Sequence, residues 1–425
     1  MDWTSYTLWS VIGGSSILGV VGGMVGSFAV LKRQSLLGDA LAHAALPGVC
    51  LAFLLVGEKA PIALLCGAMA TGMAGALFVV MVVRWSKIKE DSAIGIVLSV
   101  FFAVGIVLLT KIMRLPGGNQ SGLDKYLFGQ AATIVAEDVL VLACITGVVL
   151  VVVAVLYKEL KLLTFDREFG ASIGFPMRAL DILLTSLLVL VVVAGLETVG
   201  VVLMVATLIT PAAAARQWTD RLGVMLIVAG ALGGVSCAAG TLLSAFETWL
   251  PPGPTIVLVS SGVLVVSLLL APRRGMLWAW FRERAVARRI RRENLLKDLY
   301  LIGEREKGWK SFVTLPVLMG LRGRGALELE RNIRRLISSK LLERSADALR
   351  LTPEGVEEAE QVVRKHRLWE VYLTRRLELP SDHVHRDAEA MEHALSEATV
   401  ADFEERLGFP TVDPHGRPIP SRRRQ

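Results

Sequence analysis

The sequence predicts an all-α polytopic membrane protein of about nine transmembrane helices, followed by a soluble winged helix-turn-helix domain and a further helical domain. Of the 425 residues, 53% are hydrophobic, and the mean hydropathy is +0.55. Composition changes sharply near residue 271. Residues 1–271 hold 15 Lys+Arg and 15 Asp+Glu, whereas residues 272–425 hold 31 and 24, so the entire +7 charge lies in the second part. A lipid-embedded part and a basic soluble part are therefore expected.

The membrane part is predicted from apolar runs of about 20 residues, the length that a bilayer requires. Nine spans place the two termini on opposite sides, and Lys and Arg concentrate in the loops on the C-terminal side. By the positive-inside rule the N-terminus is expected outside and the C-terminal part in the cytoplasm. The shortest run contains Pro211. The nine runs are 9–31, 36–57, 61–83, 92–112, 135–157, 178–196, 198–215, 222–244 and 253–271.

The second span carries two ionisable residues, Asp39 and His43, four positions apart and therefore on one helical face. An ionisable residue in a span is costly and usually faces a bundle interior or a polar pathway. A carboxylate with an imidazole suits a divalent ion such as Mn, Fe or Zn. The two residues alone leave a second interpretation open, in which the pair only holds helices together.

Three runs in the membrane part, at 26–49, 197–216 and 251–269, resemble the permease subunits of ABC importers for manganese, zinc and iron (the ABC-3 type). The likeness covers residues 10–271. It implies that Asp39 and His43 line the metal pathway. It also implies three partners: an ABC ATPase, an extracytoplasmic metal-binding protein, and a second permease copy or a paralogue.

The stretch FDREFGASIGFP at 165–176 lies between the fifth and sixth spans on the predicted cytoplasmic side. Composition alone favours an ordinary interfacial turn. The resemblance instead places the coupling helix here, with the ATPase contacts at Phe165, Asp166, Arg167 and Glu168. No GxxxxGK[ST] motif occurs in the sequence. We therefore predict that this chain is not an enzyme, that it binds no nucleotide, and that ATP is hydrolysed on a separate chain.

The remaining boundaries follow from charge and periodicity. We predict a transmembrane domain at 1–271, a basic juxtamembrane linker at 272–292, a winged helix-turn-helix at 293–352 and a helical domain at 353–425. The linker holds eight arginines and one glutamate between 273 and 292, with aromatic residues among them. Contact with membrane lipid is the favoured interpretation, and a processing or nucleic-acid-contacting segment is the alternative.

The winged helix-turn-helix is predicted from three short amphipathic helices and a small hairpin at ALRLTPEG. Any one arginine of its second and third helices is expected to be solvated surface. The whole set, beside this pattern, favours contact with DNA. The set consists of Arg322, Arg324, Arg331, Arg334 and Arg335.

Histidine and glutamate recur at helical spacing in the last domain, which predicts two helices that present a divalent-metal site together. Spans 351–373, 384–396 and 410–420 resemble the diphtheria-toxin-repressor family, the metal-dependent repressors of iron and manganese uptake. The resemblance implies a metal-binding and dimerisation domain with ligands at His366, Glu370, His385, Glu389, Glu392 and His393. Two further ligand positions of that family fall on Asn294 and Lys297, and a protonated lysine cannot coordinate.

The leading hypothesis is thus the membrane subunit of an ATP-driven divalent-metal importer with a fused metal-responsive, DNA-binding-like domain. The divalent metal (Mn, Fe or Zn) is the substrate and a candidate regulator. One alternative is a membrane-tethered metal-dependent transcriptional regulator. Another is a transporter whose tail is only a metal-gated brake. Measurement of metal uptake distinguishes the importer from the tethered regulator. Measurement of DNA binding by the tail distinguishes both from the transporter with a metal-gated brake.

Overall fold

The fold is that of a computed structural model, which describes residues 6–57, 60–114, 136–246, 250–306, 312–322, 326–346, 348–380, 384–393 and 395–421. The chain divides into two compact units, Met1–Ala279 and Trp280–Gln425. Each unit has its own hydrophobic core.

The first unit is a bundle of helices in which long apolar helices alternate with short connections. Two short helices, α6 and α7, interrupt this pattern between α5 and α8. The bounds are α1 Tyr6–Leu31, α2 Leu37–Val56, α3 Pro61–Trp85, α4 Glu90–Met113, α5 Ala136–Val155, α6 Tyr157–Phe165, α7 Arg167–Ser172, α8 Met177–Val199, α9 Val201–Trp218, α10 Leu222–Phe246 and α11 Pro252–Leu270.

Among the described residues, eight helices are long and apolar enough to cross a membrane: α1 to α5, α8, α10 and α11. They coincide with eight of the nine predicted spans. The ninth prediction, 198–215, falls on α9, which contains Pro211 and ends in Arg216-Gln217-Trp218. The side chains of residues 201–203 lie outside the described residues, so the ninth span stays a prediction. Helix α9 packs against α1, α2, α10 and α11. The predicted all-α polytopic class is confirmed.

Small residues let the backbones of α1, α9 and α10 touch. A methyl group added at Gly19 would overlap the carbonyl oxygen of Gly233 on α10, and one added at Gly23 would overlap that of Ala229. Gly26 meets Leu208 of α9 in the same way. These helices are therefore held by main-chain contact, as is typical of helix pairs in membranes.

Helix α2 lies inside the bundle, against α3 and α4, with further contacts to α8 and α9. Fourteen of its 20 residues are buried. Gly48 meets the backbone of α3 at Gly67, where neither position has room for a methyl group. The helix ends at Gly57, whose φ of +75° is a left-handed conformation that favours glycine. The polar side chains that α2 carries are thereby placed in the interior of the bundle.

The second unit begins within a single long helix, α12 Met276–Arg305. The sequence predicted a separate linker and first winged-domain helix, whereas the structure joins them, since no residue between 276 and 305 breaks a helix. The other elements are β1 Val313–Thr314, α13 Leu315–Arg322, α14 Ala326–Ser338, β2 Leu342–Ser345, β3 Ala348–Leu351, α15 Pro353–Arg376, α16 Val384–Met391 and α17 Glu397–Arg406.

The wing is a three-stranded antiparallel sheet of order β1-β3-β2, in which Leu342 pairs with Leu351 and Val313 with Leu349. Strand β1 was not predicted, because two residues followed closely by Pro316 carry no alternating pattern. One core joins α12, α14 and β3 through Leu296, Ile333 and Leu349, each fully buried. The predicted winged helix-turn-helix is the arrangement observed.

Helix α15 begins where proline predicted it. Pro353 occupies its first turn, and the Thr352 hydroxyl accepts a hydrogen bond from the Gly355 amide at 3.0 Å. The guanidinium of Arg367, at the middle of α15, is buried. It donates to both carboxylate oxygens of Glu304 on α12 and to the carbonyl oxygen of Pro418, and its Nε lies 3.7 Å from Asp413. One arginine thus joins α12, α15 and the segment that follows α17.

Candidate functional sites

The Asp39–His43 pair lies on α2, one turn apart, with 3.4 Å between Asp39 Oδ1 and His43 Nε2. Their neighbours Ala40, Ala42 and Ala44 are buried. The two polar side chains keep exposed fractions of 30% and 15%. The pair therefore borders accessible space on a helix that is otherwise enclosed at this level.

The second nitrogen of His43 is not used by the fold. Among the described residues, its buried Nδ1 has no hydrogen-bond partner. The ring packs edge to face on Phe102 of α4, with 4.6 Å between the ring centres. An imidazole that meets an aromatic ring and one carboxylate, with one nitrogen unpaired, is not fully explained as a polar tie between helices.

The predicted ATPase contacts surround the start of α7. Asp166 caps this helix by accepting the Phe169 amide at 2.9 Å. Phe165 and Phe169 are each 53% exposed, and Glu168 is also exposed. Phe165 at the end of α6 and Phe169 on α7 are two exposed apolar side chains, which form an apolar patch suited to a protein partner.

Arg167 links this patch to the membrane helices. Its Nη1 lies 3.3 Å from Oδ2 of Asp181 on α8, and the other oxygen of Asp181 accepts a hydrogen bond from Lys32 Nζ at 2.5 Å. Lys32 follows α1 directly and precedes α2. Asp181 was not singled out in the sequence, although an acid one turn inside an apolar helix is itself a signal of a polar contact.

The predicted DNA-contact arginines are partly described. Arg331, Arg334 and Arg335 are exposed and share one face of α14. Arg334 is 3.4 Å from Glu330, a carboxylate that also pairs with Arg344 at 2.7 Å. The side chains of Arg322 and Arg324 lie outside the described residues. This face of α14 is basic, and an acidic residue on it, Glu330, pairs with Arg344 on strand β2 of the wing.

Three of the six predicted regulatory ligands, His366, Glu370 and Glu392, meet in a buried cluster where α12, α15 and the end of α16 come together. His366 is held on both nitrogens, with Nε2 at 3.1 Å from Glu370 Oε1 and Nδ1 at 2.5 Å from Glu392 Oε2. Lys297 of α12 enters the same space. Its Nζ lies 2.7 and 3.0 Å from the two oxygens of Glu392 and 3.2 Å from His366 Nδ1.

The other members of the predicted set are less central, although His393 Nε2 lies 3.4 Å from Oε1 of Glu392. His393 turns its Nδ1 to Glu293 at 2.5 Å and its Nε2 to the Asn294 amide oxygen at 3.1 Å. Glu389 is half-buried on α16, and the side chain of His385 lies outside the described residues. Glu293 was missed in the sequence. It precedes Asn294, and helical spacing from any predicted ligand does not reveal it.

The ion pairs determine the protonation preferences of the cluster. Burial alone would lower the pKa of His366, but its hydrogen bonds to Glu370 and Glu392 outweigh burial and the pKa is raised. Burial would raise the pKa of Glu392, but the hydrogen bond from His366 and the charge of Lys297 lower it. The cluster is thus built of charged partners that stabilise one another.

These residues do not fit a metal ion as they are arranged here. The nitrogens and oxygens that would coordinate already contact Lys297 or one another. Over the residues that the structure describes, no group of three His, Cys, Asp or Glu side chains is placed to hold a metal.

Comparison with known proteins gives the family. The model of the ABC 3 transport family matches residues 4–271. The chain belongs to the ABC 3 transport family. Residues 352–421 of this ABC 3 chain match a second model, the iron dependent repressor, metal binding and dimerisation domain. Both resemblances predicted from the sequence are confirmed.

The relatives of this ABC 3 chain are membrane proteins of metal transport. It is 44% identical over 374 residues to the manganese transport system membrane protein MntC of Bacillus subtilis, covering 88% of this chain and 85% of that protein. It is 47% identical over 284 residues to the zinc transport system membrane protein TroC of Treponema pallidum, covering 67% and 95%. The structure of PsaBC from Streptococcus pneumoniae in complex with Fab has a TM-score of 0.57 at 31% identity, covering 64% and 94%.

This ABC 3 chain is therefore a multi-pass membrane permease with an iron-dependent-repressor domain fused behind it. These comparisons support the permease hypothesis over that of a membrane-tethered regulator.

Proposed function

We propose that the chain forms the path by which a divalent cation (manganese, zinc or iron) is imported across the inner membrane of a bacterial cell, and that the cation passes Asp39 and His43. The observation that carries the proposal is the partly exposed pair of Asp39 and His43 on the otherwise buried helix α2. Its two ligands leave other coordination positions to water, which suits an ion that must be released again. The names of MntC and TroC support manganese and zinc as cargo.

The partners follow from the same proposal. A separate ABC ATPase docks where α6 meets α7, through Phe165, Asp166, Arg167 and Glu168, and an extracytoplasmic metal-binding protein delivers the ion. A second permease, either another copy or a paralogue, completes the pore. The N-terminus lies outside and the repressor-like domain in the cytoplasm, where α14 can reach DNA and the arginines of α12 can reach lipid phosphates.

Transport is tested by producing the chain with its cognate ATPase and binding protein in cells that lack a manganese importer. We expect accumulation of radioactive manganese to require all three proteins and to stop when the ATPase cannot hydrolyse ATP. Accumulation that persists without this chain would contradict the proposal.

The docking surface leads to a prediction for Phe165. Replacing it by Asp puts a charge in the apolar patch of α7, so we expect the ATPase to be lost from the purified permease and uptake to fall at least about tenfold. The measurement is co-purification in mild detergent. Ile88, in the α3–α4 connection on the same predicted side, is also exposed, and Ile88→Asp serves as the matched control. Equal loss in both variants would place the ATPase elsewhere.

The basic face of α14 leads to a second prediction. Replacing Arg331, Arg334 and Arg335 by Ala should weaken binding of the full-length chain to duplex DNA and reduce the slope of log affinity against log salt by about 2 to 3. The control removes three exposed arginines elsewhere, Arg376, Arg406 and Arg417. If the parent chain binds no DNA at low salt, the tail acts on the transporter alone.

A further inference from the structure

We propose that the ammonium group of Lys297 is the permanent cation of the cluster formed by His366, Glu370 and Glu392, and that the second unit joins α12, α15 and α16 without a metal ion. Metal regulation does not operate through this cluster. The inference concerns the second unit alone and holds whether or not Asp39 and His43 carry the transported ion.

The position of the ammonium group is the first observation. The Lys297 side chain is 3% exposed, and its Nζ contacts both oxygens of Glu392 and one nitrogen of His366. These are the atom types that surround a divalent cation such as Mn²⁺ or Zn²⁺. Nζ therefore fills the space in which such an ion would be coordinated.

The second observation is that the donors are already used. The two nitrogens of His366 face carboxylates on opposite sides, Glu370 and Glu392. His393 faces Glu293 and Asn294, and its Nε2 also lies 3.4 Å from Oε1 of Glu392. A metal ion at Glu392 would have to displace the buried ammonium group of Lys297, which lies 2.7 Å from Oε2 of Glu392.

The third observation concerns which elements the lysine connects. Lys297 lies on α12, between the core residues Leu296 and Leu299 of the winged domain. Its partners are His366 on α15 and Glu392, which directly follows α16. The ammonium group thus makes the cross-link between the winged domain and the helices behind it, a link that a bound metal could make only while metal is present. The position of the winged domain, including the basic face of α14, relative to α15 therefore does not depend on the concentration of metal.

The test compares a chain that keeps Lys297 (the Lys297 chain) with one that carries Lys297→Glu. The substitution supplies a carboxylate in place of the ammonium group. Both are made in the full-length chain with Asp39→Asn and His43→Ala, so that the transport pair cannot contribute. Bound Mn²⁺ per chain is measured by equilibrium dialysis in detergent, together with the unfolding temperature of the second unit. The Lys297 chain should bind no Mn²⁺ and show no shift in unfolding temperature.

The Lys297→Glu chain should unfold at a lower temperature without metal, since carboxylates then repel one another. It should bind about one Mn²⁺ and recover roughly 5 to 10 °C at a Mn²⁺ concentration 100-fold above Kd. Lys297→Arg, which keeps the charge, should stay insensitive to Mn²⁺.

Binding of one Mn²⁺ by the Lys297 chain, lost on Glu392→Gln, would overturn the inference. If Lys297→Glu does not fold, the decision rests on the Lys297 chain with and without Glu392→Gln, which needs no new fold. Loss of transport in the Asp39 and His43 variants, or its retention, leaves this result unchanged.

Discussion

Manganese uptake should fall to the background of cells without the permease when either Asp39 or His43 is replaced by Ala. Each change removes one of the two ligands that border accessible space on α2. Loss of even an indirect partner of a metal ligand costs about 10- to 100-fold in affinity, so we expect a loss of at least this size. The measurement is initial uptake of radioactive manganese, corrected for the amount of chain in the membrane.

The control for this prediction is Leu51→Ala, a substitution on the same helix at an exposed apolar position. His43→Cys offers a sharper arm, since a thiolate keeps a ligand but favours softer ions. That variant should retain more zinc than manganese transport. Normal uptake by inserted Asp39→Ala and His43→Ala chains would show that the pair only holds helices together.

Replacing Arg367 by Leu should destabilise the second unit by about 3 to 5 kcal/mol, the usual cost of leaving a buried charge without its partner. The Asp413 carboxylate, 1% exposed, would lose the guanidinium. Its Oδ1 would still accept the amides of His415 and Arg417 at 2.9 and 2.8 Å, but these neutral donors do not replace the guanidinium. Glu304 and the carbonyl of Pro418 would lose their donor as well.

We expect the unfolding temperature of the second unit to fall by about 10 °C in Arg367→Leu, measured in the full-length chain by the onset of proteolysis. Arg376 lies on the same helix but is exposed, so Arg376→Leu should change it by less than about 2 °C. Equal effects would mean that leucine on α15, and not the lost ion pairs, is responsible.

The helices were largely predictable because their signals are local. Apolar length identifies eight spans, and Pro353 after a threonine marks the start of α15. The pair Asp39 and His43 stood out because charge is rare in a span. Contacts over long distances along the chain left no such pattern. Nothing near Asp181 names Lys32 as its partner, and Arg367 reads as one of many basic residues on an amphipathic helix.

Burial decided the remaining differences. Asn294 and Lys297 were recognised as departures from the repressor family, but only the fold shows that the lysine is enclosed and faces Glu392 and His366. Strand β1 and the continuity of α12 were missed because their local sequence patterns are weak or change partway along the element. One is too short to have a period, and the other continues a helix across a change in composition.

The glycine contacts between α1 and α10 have a mechanical consequence. Carbonyl oxygens there rest directly against Gly19 and Gly23, at successive turns. Sliding or rotating one helix against the other at these two turns would drive main-chain atoms together. We therefore expect α1 and α10 to move together as one rigid body. We expect the bundle to open toward one side of the membrane and then the other at different helix contacts. One candidate is the contact between α4, at Phe102, and the face of α2 that carries Asp39.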